Sequence, residues 1–192
     1  MARAVPDLTR PDLTREDWLK AGQALLQSEG LRALRLRTLT SALNISTGSF
    51  YHHFKDFDAY LGQLADYFSG QQLNENLDRM RTSEATPFQR IRMVSELALA
   101  ENLPRLMLAM RAWARSEPRA AAAVAKVDET LIGFFAECLE AMGFDRRQAL
   151  ARGYLLVSSG TAEVMPPPEM GEGRPLRDLM LATICGQPAA QP

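Results

Sequence analysis

The sequence has no long apolar run, and it has few cysteines. No stretch of the 192 residues approaches the ~18 apolar residues that a membrane-spanning helix requires. The N-terminal segment MARAVPDLTRPDLTRED lacks the apolar core of a secretion signal, so we expect a cytoplasmic protein. Cys138 and Cys185 lie far from each other in sequence and far from both histidines. We therefore predict two reduced, packed thiols and neither a disulfide framework nor a metal motif.

Motifs that carry catalysis are also missing. The sequence contains no glycine-rich phosphate loop, no His-Glu-x-x-His and no Gly-x-Ser-x-Gly. Its two histidines, His52 and His53, are adjacent. On a helix they would point about 100° apart, which disfavours a two-histidine metal site. We predict a protein that is not an enzyme and that needs no cofactor and no metal.

Positive charge is local. The formal net charge is -1, which argues against a protein that coats nucleic acid without specificity. From residue 31 to residue 55, however, the chain carries Arg32, Arg35, Arg37 and Lys55 and no acidic residue. Any contact with DNA is therefore predicted to be confined to one patch.

Apolar residues recur at helical spacing, and no segment alternates apolar and polar residues as a half-buried strand would. We predict an all-α chain of about nine helices, one of them running from near Asp56 towards Arg81. A capping-box pattern at Thr14 and Asp17 opens the first helix, and Gly30 suits its end. Thr86 is predicted to be the N-cap of a later helix, with Pro87 at its first position. These patterns divide the chain into a flexible N-terminal arm (residues 1–13), a three-helix head (14–55) and a larger helical body (56–192).

Residues 39–54, LTSALNISTGSFYHHF, have the pattern of a helix-turn-helix. Asn44 tolerates the left-handed backbone of a tight turn. Ser46 suits the N-cap of the second helix, where its hydroxyl would accept from backbone N–H groups. Side chains of the inward face are Leu39, Leu43, Ile45, Phe50 and Phe54. The small core of the three-helix head is predicted to consist of Trp18, Leu25, Leu34, Leu39, Leu43, Phe50 and Phe54.

The outward face of the second helix carries small or flat polar residues. These are Thr47, Gly48, Ser49, Tyr51 and His52. Such groups hydrogen-bond to phosphates and base edges, and the second helix of a helix-turn-helix enters the DNA major groove. We predict that this face binds DNA. His53 either contacts DNA as well or packs inside the head.

A small helix-turn-helix head, a long connecting helix and a larger helical body resemble the tetracycline-repressor (TetR) family of bacterial transcription regulators. Residues 44–61, NISTGSFYHHFKDFDAYL, are similar to the family's turn, its recognition helix with Tyr-x-His-Phe, and the lysine that follows. Tyr51, His53, Phe54 and Lys55 match that pattern residue by residue. The sequence departs from it at Phe57, where a second lysine often contacts phosphate.

The resemblance implies a ligand-responsive transcriptional regulator, more often a repressor, that binds a palindromic operator as a homodimer and is released by a small-molecule effector. It makes residues 14–55 the helix-turn-helix DNA-binding domain and residues 56–192 the ligand-binding and dimerisation domain. The positions that contact DNA in the family correspond here to Arg37, Thr47, Ser49, Tyr51, His52 and Lys55.

The resemblance also implies a dimer interface built from the last two long helices. Gly153, Val157 and Gly160 fall on one side of a predicted helix and form a stripe that lets another helix come close. With Leu176 and Leu179 of the last helix, they are the predicted interface residues.

A further group of body residues is large, flat or flexible: Met107, Met110, Trp113, Phe134 and Tyr154. They either line a pocket for an apolar or aromatic effector or form ordinary core. The alternative to a DNA-binding regulator is a helical protein-interaction module, in which the basic residues of the head are a solvated face.

Overall fold

The computed structural model of the chain describes residues 13–161, 168–170 and 173–186. These residues form ten α-helices and two short 3-10 turns and contain no strand, so the all-α prediction is confirmed. The helices are α1 Arg15–Glu29, α2 Leu36–Ala42, α3 Thr47–His53, α4 Phe57–Phe68, α5 Gln71–Arg81, α6 Pro87–Ala100, α7 Leu103–Ala114, α8 Pro118–Ala141, α9 Arg146–Ser159 and α10 Gly173–Cys185. The 3-10 turns are Leu31–Ala33 and Pro168–Met170. The predicted N-terminal arm, except Leu13, lies outside the described residues.

The single helix predicted from Asp56 to Arg81 is in fact two, which is why the described helices number ten. The first of them, α4, ends at Phe68, and the backbone N–H of its C-cap residue, Ser69, donates to the carbonyls of Ala65 and Tyr67. Gly70 follows, and glycine costs a helix interior about 1 kcal/mol relative to alanine. The apolar spacing continues across this break, so periodicity alone could not reveal it.

The predicted helix boundaries at Thr14, Gly30 and Thr86 are confirmed. Asp17 N donates to Thr14 Oγ1 over 3.2 Å, and Thr14 N donates to Asp17 Oδ2 over 2.9 Å, which completes the capping box. Thr86 and Gln89 make the same reciprocal pair of bonds, at 3.3 and 2.8 Å. Gly30 ends α1 with a φ of 76°, in the region that favours glycine.

The core predicted for the head is also confirmed. All seven predicted side chains are buried: Trp18, Leu25, Leu34, Leu39, Leu43, Phe50 and Phe54. Tyr60 of α4, which was not predicted to join them, is fully buried, and its hydroxyl donates to the Trp18 carbonyl over 3.1 Å. Burial raises the pKa of Tyr60, so this hydroxyl stays protonated and keeps its hydrogen bond. The first turns of α4 therefore belong to the core of the head.

Contacts along the chain define two compact units. The first contains the described parts of residues 1–73 and 98–127, and the second those of residues 74–97 and 128–192. Within the first unit, α1 packs against both α4 and α7. The unit that holds the helix-turn-helix is therefore larger than residues 14–55.

In the second unit, α9 packs against both α8 and α10. A Cβ on Gly153 of α9 would lie 2.9 Å from the Ile132 carbonyl oxygen of α8, so only glycine permits this approach. Contacts between α9 and α10 include a hydrogen bond from Arg152 to the Ile184 carbonyl. The guanidinium of Arg152 also lies 4.2 Å from the ring centroid of Phe144. These contacts hold α8, α9 and α10 together.

We expect Gly22→Ala to destabilise the protein, although glycine to alanine usually stabilises a helix by about 1 kcal/mol. A Cβ at this position of α1 would lie 1.9 Å from Tyr60 Oη. Such overpacking typically costs about 1–3 kcal/mol. Tyr60→Phe removes the clashing hydroxyl, so Gly22→Ala should lower the free energy of unfolding by less in the Tyr60→Phe background than in the wild type. Urea denaturation of the two single variants and the double variant measures this, and simple additivity would contradict the proposed clash.

Candidate nucleic-acid interface

The turn between α2 and α3 has the predicted backbone. Asn44 has a φ of 53°, in the left-handed region. Ile45 N then donates to the Thr40 carbonyl over 3.1 Å and closes the turn. Ser46 occupies the N-cap position, but its hydroxyl makes no capping hydrogen bond, so the predicted side-chain cap is wrong. Its backbone carbonyl is used instead and accepts from Ser49 N over 3.1 Å.

Two phenylalanines hold α3 against the head. Phe50 and Phe54 are buried, and their rings stack with centroids 5.1 Å apart. Phe50 also meets Trp18 of α1 edge to face at 5.3 Å. Since one side of α3 is buried in this way, the opposite side faces solvent. There Thr47, Gly48, Tyr51 and His52 are exposed, and Ser49 is half-buried.

Tyr51 combines a supported ring with a large exposed area. Its ring lies edge to face on Phe50 at 5.4 Å, yet 55% of the residue is exposed. Gly48 is exposed too, and a Cβ there would meet only Ser46 Oγ, at 3.6 Å. The fold therefore does not require glycine at this position. A glycine on an exposed face permits close approach by a partner.

Arg15 of α1 holds the end of α3, and the sequence did not reveal this role. Its Nη2 donates to the His53 carbonyl over 2.9 Å, and its guanidinium lies 5.6 Å from the Phe54 ring centroid. A cation at a helix C-terminus is favourable because the last carbonyls point towards it. His53 itself is half-buried, 6.3 Å from the Trp18 ring centroid, which fits the packing role left open for it. Arg15 and His53 are 38 residues apart, so no local pattern connects them.

Basic side chains flank α3. Arg32, Arg35, Arg37 and Lys55 are all exposed. Within the described ranges, no ion pair neutralises any of the four. Arg37 also borders an open depression of about 360 Å³, whose other lining residues are Thr40, Ser41, Asn44, Ile45 and Ser46. The head thus presents unpaired positive charge beside the exposed side of α3.

Phe57, at the position where the family often has a lysine, packs onto the head. Its ring stacks on Tyr60 at 5.5 Å and lies 6.1 Å from that of Phe50. Phe57 therefore helps to support α3 from the first turn of α4.

The residues predicted to line a pocket have different environments. Met107, Met110 and Trp113 are buried on α7, in the first unit. Phe134 is fully buried on α8, in the second unit. Tyr154 of α9, also in the second unit, is 62% exposed and faces solvent. The structure brings the three α7 residues together.

The predicted interface residues divide between the inside and the outside of the second unit. Gly153 and Val157 are buried, and Gly153 packs against α8 of the same chain. Gly160 is exposed, Leu176 is half-buried and Leu179 is 51% exposed. The small-residue stripe thus does admit a neighbouring helix, but at Gly153 that helix is α8 of the same chain.

Sequence reasoning did not identify the exposed apolar side of α9. Leu150 is 38% exposed and Leu155 is 51% exposed, and Tyr154 lies beside them. The four-residue spacing of Leu150 and Tyr154 was a signal for a shared helix face. Since that spacing does not say whether the face is inside or outside, it did not suffice.

Both cysteines are buried. Burial raises the pKa of the Cys138 thiol and of the Cys185 thiol to about 11 each. The part of the chain that the structure describes contains no group of three or more His, Cys, Asp or Glu side chains that could hold a metal ion. None of its helices is long and apolar enough to cross a membrane.

Comparisons with known proteins agree with this architecture. Residues 19–59 match the sequence model of the family described as bacterial regulatory proteins, tetR family. No curated protein sequence matches the chain. Among solved structures, a TetR transcriptional regulator from Legionella pneumophila aligns with a TM-score of 0.76 and 17% identity, covering 92% of this chain and 97% of that one.

Two further solved structures have the same fold. Escherichia coli NemR in its reduced form aligns with a TM-score of 0.69 and 18% identity, over 92% of this chain and 97% of that one. Bacillus subtilis FadR in complex with stearoyl-CoA aligns with a TM-score of 0.55 and 14% identity, over 92% of this chain and 100% of that one. The resemblance to the TetR family is confirmed: the chain carries the family's helix-turn-helix region on a TetR-type fold.

We expect both thiols to react slowly in the folded protein. With a pKa of about 11, only about one thiol in a thousand is ionised near pH 8, and the thiolate is the reactive form. Burial also restricts access by the reagent. An aromatic disulfide reagent should therefore label Cys138 and Cys185 slowly in buffer and rapidly in denaturant. Fast labelling of either thiol in the native protein would show a local environment different from the one described.

Proposed function

We propose that this protein is a ligand-responsive transcriptional regulator, acting as a repressor, that binds a palindromic operator as a homodimer. One observation carries the proposal. Phe50 and Phe54 anchor the buried side of α3 in the core of the head. The polar side of α3 faces solvent and is flanked by exposed basic residues that form no ion pair within the described residues. The match of residues 19–59 to the tetR family supports it. Double-stranded DNA as the partner makes the cytoplasm the place of action.

In this proposal, α3 enters the major groove. Thr47, Ser49 and His52 contact base edges, and the bare backbone at Gly48 allows the helix to come close. Tyr51 and Lys55 contact phosphates, as does Arg37. Phosphate contacts fix the register of the protein on the duplex, whereas base contacts select the sequence.

The homodimer would form through the exposed apolar side chains of α9 and α10. These are Leu150, Tyr154 and Leu155 of α9 and Leu179 of α10. Gly153 and Val157 are buried within the chain, so their contribution is to hold α9 in place. Leu176, half-buried beside Leu179, would contribute at the edge. In such a dimer the two α3 helices would reach major grooves about one turn apart, ~34–36 Å.

The effector we propose is an apolar or aromatic small molecule. Met107, Met110 and Trp113 of α7, all buried in the first unit, supply the apolar, adaptable surface such a ligand needs. The stearoyl-CoA bound to B. subtilis FadR is a precedent within this fold. Tyr154 is assigned to the dimer face because it is exposed. The effector would weaken DNA binding by binding the released state more tightly than the DNA-bound state.

DNA binding should be selective, salt-dependent and sensitive to Tyr51. Duplexes selected from random-sequence DNA on the wild-type protein provide the probe, and fluorescence anisotropy at several salt concentrations gives the affinity. Tyr51→Ala should weaken binding by about tenfold and leave the salt slope nearly unchanged, because the lost phosphate contact comes from a hydroxyl, which carries no positive charge and displaces no counterion. Thermal stability and dimerisation should not change, since most of Tyr51 is exposed.

The matched control is Tyr51→Phe, which retains the ring contact with Phe50 but lacks the hydroxyl. If the hydroxyl contacts phosphate, this variant should be weakened as well. A wild-type protein that selects no sequence and binds DNA without salt dependence would reject the regulator. That result would favour a protein-interaction module instead.

Dimerisation should depend on the exposed apolar side of α9. Tyr154→Glu puts a charge into the proposed interface and should shift the dimer towards monomer, because an unpaired buried charge is costly. Met93→Glu is the matched control: Met93 is also an exposed apolar residue, 37% exposed, but it lies on α6. Sedimentation velocity at several concentrations distinguishes the two. A Tyr154→Glu variant that remains as dimeric as the control would place the interface elsewhere.

A further inference from the structure

The first turn of α8 is tied to the first turn of α4 by one arginine. Arg119 Nη2 donates to Asp58 Oδ1 over 2.7 Å, and Nη1 donates to Asp58 Oδ2 over 3.1 Å. Nη1 also donates to the Asp58 backbone carbonyl over 3.2 Å. Arg119 thus makes a bidentate pair of hydrogen bonds to the Asp58 carboxylate and a further hydrogen bond to the Asp58 main chain.

A second carboxylate occupies the other edge of the same guanidinium. Arg119 Nε and Nη2 donate to Glu117 Oε1 and Oε2, both over 2.8 Å. The hydrogen bonds from Arg119 lower the pKa of Glu117 to about 2 and lower that of Asp58, so all three groups are charged at neutral pH. An isolated exposed ion pair contributes little, but bidentate geometry within a network contributes more.

Asp58, to which Arg119 binds, lies in the first turn of α4, and this turn supports α3. Asp58 lies next to Phe57, whose ring is 6.1 Å from that of Phe50 in α3. Tyr60, two residues further along, lies 5.6 Å from Phe50 and 5.0 Å from Phe54. A continuous series of contacts therefore leads from Arg119 through α4 to the buried side of α3, all within the first unit.

The next turn of α4 leaves room for the arginine. A Cβ on Gly62 would lie 3.3 Å from Arg119 Nη1, which is tighter than an ordinary contact. The small residue at this position lets the guanidinium lie against α4.

We propose that Arg119 is a positioning residue for DNA binding: by holding Asp58 it fixes the first turn of α4, and thereby the orientation of α3. This inference rests on the proposed function. Arg119 does not touch DNA. Its loss should therefore leave the polar side of α3 intact but less well oriented.

The effect of charge on DNA binding can be separated from the effect of positioning α3, because the two predict opposite changes in DNA affinity for Asp58→Asn. Removing a negative charge from a DNA-binding head should, by electrostatics alone, tighten binding to DNA. Loss of the bidentate pair of hydrogen bonds to Arg119 should instead weaken it. We expect Asp58→Asn to weaken binding to the selected duplex on the order of two- to fivefold, the range of an exposed ion-pair contribution. Tighter or unchanged binding would overturn the proposal.

Arg119→Ala should weaken binding by a similar factor. Its matched control is Arg115→Ala, which removes the same charge from an exposed arginine four residues earlier in the chain, at the end of α7. The control should show only the small loss due to charge. Combining Arg119→Ala with Asp58→Asn should weaken binding no further than either change alone, because both break one contact. Additive losses, or equal losses in Arg115→Ala, would contradict a specific role for Arg119.

Hydrogen exchange provides a test that does not depend on DNA. Amides of α3 and of the first turn of α4 should exchange faster in Arg119→Ala than in Arg115→Ala, while those of α9 should not change. Unchanged exchange in α3 would overturn the proposal. If the wild-type protein selects no duplex, the proposed regulator fails and the DNA-binding role of Arg119 fails with it. Faster exchange in α3 would then still establish the mechanical contact.

Discussion

The structure of the head depends on one cluster of aromatic rings. Trp18 of α1, Phe50 and Phe54 of α3, and Phe57 and Tyr60 of α4 meet with ring centroids 5.0–6.4 Å apart. Mixed edge-to-face and stacked contacts of this kind are directional, so they set angles between helices as well as distances. At seven residues, α3 is too short to be stable alone. It exists as an oriented helix because this cluster holds it.

The proposed binding surface follows from that constraint. Burial of Phe50 and Phe54 determines which side of α3 faces outward, and Arg15 adds a hydrogen bond at its C-terminal end. Phe57, at the position where the sequence departs from the family's expected pattern, adds its ring to the cluster and supports α3. Arg119 also binds the first turn of α4, through its hydrogen bonds to the Asp58 carboxylate.

In the second unit, α9 carries both buried and exposed residues. Gly153 and Val157 of α9 are buried, and the close approach that glycine permits is made to α8. Leu150 and Tyr154 face solvent. A stripe of small residues indicates a close helix neighbour, but it does not say whether that neighbour belongs to the same chain. Only the packing of α9 on α8 showed which of these residues face solvent.

Local patterns in the sequence determined the helical class, the boundaries at Thr14, Gly30 and Thr86, the left-handed turn at Asn44 and the inward side of α3. Each depends on residues within about one helical turn of one another, where spacing and side-chain chemistry suffice. Tertiary structure alone decided the contacts of Arg15 and Arg119, the burial of Tyr60 and the exposure of Tyr154. The contacts of Arg15, Tyr60 and Arg119 join residues 38–61 positions apart in the sequence. The exposure of Tyr154 depends on which neighbouring helices cover α9. No periodicity in a single segment encodes such information, because it arises only when separate helices pack together.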